Sequence, residues 1–366
     1  MTRPSRLPGL LSLLLAPLLL PAPALADRLD DLAAEIMQLR EELEQNKIDD
    51  ANSGVRINGY YSFDIITDSG AGRSTFRQHS FNLFVGREWD RWQVLSEIEY
   101  EDGVTVKEGT PNPDVTGAVA LEYAWFQYQV NDAFKVRGGK FLVPEYWNAH
   151  HFAPVTMSTA PPLLVKKVFP DDATGLMLHG ATYVGKVGAT YSTWVTNGDS
   201  HAATDTSDHK GGGGKLTLNL GGLFSTTGRL DLSFFGHHTL RDYPPPAPLT
   251  PTQPVDITGL ELQINTRLLE LLAEYVHQDG ASGPEGFYVQ PAVRVSKGVR
   301  LFYRYEGLDR GLVTGTDGGM PIRHTGGINW RPQPNMTVKL EGNNTRYDVP
   351  AGTTVQQLLA SVALFF

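Results

Sequence analysis

The segment 142–170 gathers groups that can do chemistry: Glu145, His150, His151, Lys166 and Lys167, set among Tyr146, Trp147, Phe152 and five prolines. A carboxylate, two imidazoles and two ammonium groups in one stretch could move protons, ligate a metal or contact charged solutes. The spacing argues against the first two. His150-His151 and His237-His238 are adjacent pairs. On a strand, neighbours point to opposite faces, so neither pair is a ready chelate. His150 with Glu145 or Asp171 completes no tetrahedral ligand set. Gly-x-Ser-x-Gly, His-Glu-x-x-His and phosphate-cradling Walker loops are absent, and Gly211–Gly214 lacks the following Lys-Ser/Thr and reads as flexible loop. The expectation is no catalytic residue, no metal site and no cofactor. What remains is presentation of charge to a solute.

Charges outside that segment follow a strand pattern. Trp92, Val94, Ser96, Ile98 and Tyr100 alternate with Gln93, Leu95, Glu97, Glu99 and Glu101; Val299, Leu301, Tyr303 and Tyr305 alternate with Arg300, Phe302, Arg304 and Glu306. The same period of two runs through Val187–Val195, Leu216–Leu220, Leu230–Phe234 and Leu260–Ile264. It yields sixteen candidate strands after residue 54. Connections alternate between short ones (Trp89 to Arg91, Asn131-Asp132, Val184-Gly185, Gly221 to Ser225, Thr266 to Leu268, Lys297-Gly298, Pro332 to Pro334) and long ones (Thr67 to Arg73, Asp102 to Gly117, Leu142 to Pro170, Asn197 to Gly211, Thr239 to Pro254, Asp279 to Glu285, Gly307 to Pro321, Arg346 to Thr354). A soluble sandwich has no reason to sort its loops by end. A transmembrane antiparallel β-barrel of about 16 strands does, with both termini on the short-turn side. Tyr60, Tyr61, Trp89, Trp92, Tyr128, Trp194, Tyr288 and Trp330 fall near strand ends, as interfacial aromatic girdles require.

The termini fit a membrane destination. Arg3 and Arg6 precede an apolar stretch, Leu10–Leu20, and Ala24-Leu25-Ala26 is a small-x-small cleavage site, so residues 1–26 read as a secretory signal peptide. The chain ends Leu358, Ala360, Val362, Leu364 on one face and closes on Phe365-Phe366. That is the terminal strand by which outer-membrane barrels reach their assembly machinery. No later apolar run is long enough for a membrane helix. Zero cysteines are compatible with an oxidising periplasm. The net charge of −9 argues against a nucleic-acid partner. In residues 27–48, Leu29, Leu32, Ile36, Leu39 and Leu43 step by three and four, the seam of a short α-helical coiled coil. About three heptads are marginal alone, so a homotrimer of barrels is expected to hold the coil together. The remainder, 55–366, forms the barrel.

In sixteen-stranded general porins the fifth connection folds into the lumen as a constriction. Segment 142–170 occupies that position, and its apolar groups would be costly facing solvent. Glu145, His150, His151, Lys166 and Lys167 are therefore candidates for the constriction. Taking each strand's polar face as lumenal adds Arg294, Arg300, Arg304, Arg323 and Arg331 on one wall. Glu97, Glu99, Glu101 and Glu122 lie six strands away, so a transverse field across the lumen is expected.

Gly138-Gly139-Lys140-Phe141-Leu142-Val143-Pro144 resembles the Gly-Lys-Phe-x-x-Pro segment of phosphate-selective porin O/P-type proteins, and Asp172–Gly180 resembles their next strand. The resemblance implies the same architecture: signal peptide, coiled coil and sixteen-stranded barrel in the outer membrane of a Gram-negative bacterium. The arginine ladder and lysine cluster expected of phosphate-selective members find no residue-by-residue match, so phosphate selectivity does not follow. The expected function is passive diffusion of small hydrophilic solutes or ions through a water-filled channel in outer-membrane lipid. The alternatives are a substrate-specific, anion-selective channel and a structural or adhesive barrel. Deleting Asp27–Asn46 tests the coil: loss of the SDS-resistant trimer on unheated gels is expected, and an unchanged trimer would remove the coil's role.

Overall fold

A computed structural model describes residues 54–70, 72–102, 117–164, 168, 172–198, 209–223, 228–241, 253–279, 283–309, 321–347 and 353–366. The expected signal peptide and coiled coil, including Leu29, Leu32, Ile36, Leu39 and Leu43, lie outside the described residues, as do Lys166 and Lys167.

Sixteen antiparallel strands close into one barrel: β1 (Arg56–Asp68), β2 (Arg73–Trp89), β3 (Trp92–Glu101), β4 (Ala118–Asn131), β5 (Phe134–Leu142), β6 (Asp172–Val184), β7 (Val187–Thr196), β8 (Gly211–Asn219), β9 (Arg229–Arg241), β10 (Gln253–Asn265), β11 (Leu269–Gln278), β12 (Glu285–Ser296), β13 (Val299–Asp309), β14 (Ile322–Gln333), β15 (Met336–Tyr347) and β16 (Thr353–Phe365). Each strand pairs with its sequence neighbours, and β16 pairs with β1 from Tyr60↔Phe365 to Asp68↔Gln357. The seam is sealed to the last residue. Gly59 N donates to Phe366 O at 3.0 Å, and Phe366 N returns the bond to Gly59 O at 3.0 Å. The Phe366 ring stacks on Phe81 with centroids 5.6 Å apart.

The period-two pattern sets the two faces. Phe76, Leu121, Phe126, Leu176, Leu216, Phe234, Leu260, Leu301, Ile328, Leu340 and Leu358 are exposed on the outer surface, while Asn82, Glu97, Asp231, Glu261, Glu306, Asn329, Lys339 and Glu341 are buried within. Apolar outside and polar inside is the inversion that a hydrocarbon solvent demands. Two-residue turns, Asp90-Arg91, Gly185-Lys186 and Lys297-Gly298, cluster at the end bearing the termini.

Three expectations change. The sorting of loops is not strict: β1 and β2 are separated only by residues 69–72 at the long-loop end, while residues 220–228 link β8 and β9 at the other. Both strands of the first hairpin continue through polar residues (Thr67↔Ser74, Asp68↔Arg73), which alternation alone does not register. Gly211–Gly214 is not loop but the start of β8, paired with Thr196, Val195, Trp194 and Thr193 of β7. The glycines are there for space, since a Cβ on Gly213 would fall 2.5 Å from the Trp194 ring. Of the aromatic girdle, Trp89, Trp92 and Trp330 are exposed at the short-turn end, but Tyr60, Trp194 and Tyr288 point inward and are buried.

Tyr60 packs against Phe84 and Phe152, while Trp194 and Tyr288 belong to an apolar patch inside the barrel, in which Trp125, Phe141, Val143, Leu164, Met177, Trp194, Phe235 and Tyr288 pack together. Gly139 opens the way to it. Its φ of +122° is closed to side-chain-bearing residues, and a Cβ there would lie 2.4 Å from Ala124 O. Gly139→Val is expected to destabilise the folded barrel by about 2 kcal/mol or more, a lower urea midpoint followed by heat-modifiable gel mobility.

Candidate pore constriction

After β5 the chain turns inward instead of outward. Phe141 and Val143 are fully buried in the apolar patch, and Leu164 and Val168 return to it from the far end of the segment. These anchors fix both ends of the loop by exclusion of apolar surface. Between them sits a short helix, α1 (Tyr146–His150), too short to persist alone. Glu145 caps it by accepting from Trp147 N (3.0 Å) and Asn148 N (3.1 Å), and Asn148 Nδ2 donates back to Val143 O (3.0 Å). Tyr146 N donates to Glu261 Oε1 on β10 at 3.0 Å, and Lys215 on β8 donates to the same oxygen at 2.6 Å. The His150 ring stacks on Tyr146 with centroids 4.3 Å apart, and its Nδ1 meets Tyr146 O at 2.8 Å. Burial lowers the His150 pKa from its ordinary value, favouring a neutral ring whose Nδ1–H donates to that carbonyl.

Beyond α1, residues 151–164 have no regular secondary structure and carry prolines at 154, 161 and 162. Their backbone groups therefore need partners from elsewhere. The inner faces of β13–β15 supply them, sorted by charge. Arg331 Nη2 donates to Pro154 O (3.2 Å) and Val155 O (3.0 Å), and Thr337 Oγ1 to Pro154 O (2.9 Å). Asn329 Nδ2 spans Thr156 O (3.1 Å) and Met157 O (3.0 Å). Lys339 Nζ donates to Thr156 Oγ1 (2.6 Å) and Ser158 O (3.3 Å). Arg304 reaches Ala160 O at 2.8 Å, and Arg323 donates to Pro161 O. Carboxylates take the donors. Glu341 accepts from Ser158 Oγ, Thr159 N and Ala160 N, each at 2.8 Å, and Glu306 accepts from Leu163 N at 2.6 Å. Glu306 also receives Arg304 Nε (2.9 Å) and Arg323 Nε (2.7 Å).

This arrangement revises the candidate residues. Glu145 does not face the pore; it is 1% exposed and serves as a helix cap. Arg304, 0% exposed, and Arg323, 9%, lie under the loop as fasteners. Arg294 and Arg300 share Glu270 at 2.5 and 2.8 Å, so their charge is largely spent on one carboxylate. His150 is held in the Tyr146 stack, and His151 binds Asn148 O at 2.8 Å with its ring beside Phe152. Glu97 is fully buried, accepting from Asn82 Nδ2 at 2.6 Å, while Glu99 is half-buried next to Glu122. Of the expected basic wall, Arg304 and Arg323 are paired with Glu306 and lie under the loop, Arg294 and Arg300 are paired with Glu270 on β11, and Arg331 is held on loop carbonyls, while Glu97, Glu99 and Glu122 of β3–β4 form no ion pair among the described residues. Sequence reasoning missed Glu306, Glu341, Lys339 and Asn329 as functional residues. Alternation places all four on inward faces; nothing in it says that a loop backbone will cover them. Between loop and wall lies a cavity of about 120 Å³, lined by Tyr146, Trp147, Gln290, Arg300 and Arg331 among others.

Comparison with solved structures identifies the fold. The chain is similar to an anion-selective porin from Comamonas acidovorans, with a TM-score of 0.63 and 11% identity over 85% of this chain and 99% of that one. It is similar to OmpF of Salmonella typhi in complex with daunomycin (TM-score 0.58, 11% identity, 85% and 97% covered). It also resembles the outer membrane channel DcaP of Acinetobacter baumannii (TM-score 0.54, 12% identity, 85% and 97% covered). The fold is a porin-like sixteen-strand barrel. No family profile and no curated protein sequence matches the chain.

Glu341→Ala leaves two backbone N–H groups of the loop without an acceptor and leaves the Ser158 hydroxyl only Ala160 O, at a cost of about 3 kcal/mol or more. Limited proteolysis of the folded variant is expected to cut within residues 154–163, where the parent chain resists.

Proposed function

We propose that the protein is an outer-membrane porin through which small hydrophilic solutes or ions diffuse passively, with segment 142–170 as its constriction. The observation that carries the proposal is the combination of a polar inner face with a loop fastened across it by buried side chains of β13–β15. A barrel serving only as a wall or an adhesin has no use for a loop turned inward at that cost in buried charge. Permeation needs weak binding and an ordered, narrow passage, and fastening the loop backbone supplies the order. The reading is of a channel and not of an enzyme.

The finer expectations belong to the same proposal. Residues 1–26 direct secretion, and the strand ending at Phe366 is the assembly signal. The seam Leu29, Leu32, Ile36, Leu39, Leu43 holds three barrels together. The likeness of Gly138–Pro144 to phosphate-selective porin O/P-type proteins supports the architecture. Selectivity is argued from the charges instead. Among the described residues the half-buried Glu99 and Glu122 form no ion pair, whereas Arg294, Arg300, Arg304 and Arg323 are each paired with a carboxylate. A weak preference for cations follows, in contrast to the anion selectivity named for the Comamonas porin. The cavity lined by Tyr146, Trp147, Arg300 and Arg331 favours a second reading, a channel with a weak binding site for one class of polar solute.

Conductance of the refolded protein in planar bilayers separates these readings. Large ohmic steps in triplets are expected for a trimeric diffusion porin; small steps blocked by a single solute would establish the specific channel, and silence would overturn both. In a salt gradient, Glu99→Gln with Glu122→Gln is expected to move the reversal potential toward anions.

A further inference from the structure

Three carboxylates meet where the loop begins: Glu145 before α1, Glu261 on β10 and Glu274 on β11. One oxygen of each lies within 4.8 Å of the others, and the residues are 1%, 4% and 3% exposed. Two have partners. Glu145 uses both oxygens on the α1 N–H groups, and Glu261 Oε1 takes Lys215 and Tyr146 N. Glu274 does not: neither of its oxygens has a hydrogen-bond partner, although Tyr288 and Glu145 adjoin it, and the Tyr288 hydroxyl is likewise unpartnered. A buried carboxylate with no donor is among the costliest groups in a protein interior. Lys215 offsets only one of the three charges; Arg229 and His150 are the next basic groups toward the cluster.

We propose that Glu145, Glu261 and Glu274 hold a divalent cation, calcium by class. A calcium ion accepts carboxylate oxygens at about 2.4 Å with loose angular demands, so two such bonds span about 4.8 Å. Magnesium asks for a tighter octahedron and gives up its water reluctantly. The ion would neutralise the two charges Lys215 leaves and give the Glu274 oxygens their missing partner. It would also tie the root of the loop to β10 and β11, a part of the wall separated by β12 from the fasteners of β13–β15. This inference needs no assumption about what permeates the barrel, and its readout is not conductance, so its failure would leave the channel proposal standing.

The test uses the full-length folded protein, stripped with EDTA and titrated with terbium. Tyr146, Trp147 and Tyr288 lie beside the site and can sensitise its emission. Saturable sensitised emission at a single ion per chain, reversed by calcium, is expected. Glu274→Gln is expected to weaken terbium binding at least about tenfold, while Glu285→Gln, outside the cluster, is not. Undiminished binding in Glu274→Gln, or no calcium-reversible emission from the parent chain, would overturn the proposal. If Glu274→Gln does not fold, Glu261→Gln and the melting temperature of the parent chain with and without EDTA decide. A fall on chelation supports the site; an unchanged value assigns Glu274 as a protonated buried acid and overturns it.

Discussion

Every backbone N–H and C=O in a membrane-spanning chain must find a partner within the protein, because hydrocarbon offers none. Closure of β1 on β16 answers that requirement for the wall, down to the reciprocal bonds between Gly59 and Phe366. A sheet with a free edge at that seam would expose a column of unpaired groups to lipid. The alternation of faces, the even strand count and the position of both termini at one end are consequences of satisfying this condition with antiparallel hairpins.

The same requirement recurs inside the barrel in another form. Segment 142–170 brings an irregular, proline-broken backbone into a confined interior where strand pairing cannot serve it. Side chains replace the ladder. Arg331, Asn329, Lys339, Arg304 and Arg323 cover carbonyls, while Glu341 and Glu306 cover amides. Cations and carboxylates alternate because carbonyls and amides alternate along the chain they face, and they neutralise one another as they do so. Charge that looked available for selecting solutes is therefore committed to holding a loop.

Much of the wall was legible in the chain. Period two assigned faces correctly on β3, β7, β9, β10, β13 and β16, because each strand is solvated by lipid on one side and polar surface on the other, and that contrast is written residue by residue. Legibility failed where a strand's surroundings are not that simple. Gly211–Gly214 carries no side chains to alternate, yet it pairs along its whole length beneath Trp194. Tyr60, Trp194 and Tyr288 look like girdle aromatics by position; their parity buries all three inside, Trp194 and Tyr288 in the apolar patch.

What the sequence by itself determined is the barrel: hydropathy period, turn placement and the terminal apolar strand are local properties, and local properties suffice when every element solves the same solvation problem. What only the tertiary structure decided is the use of the charges. Whether Arg304 faces water or a carbonyl 144 positions earlier depends on where a distant loop lies. That contact has no trace in the spacing of either segment, so residues of identical pattern became a helix cap, a fastener or a lumenal charge only once the loop had folded inward.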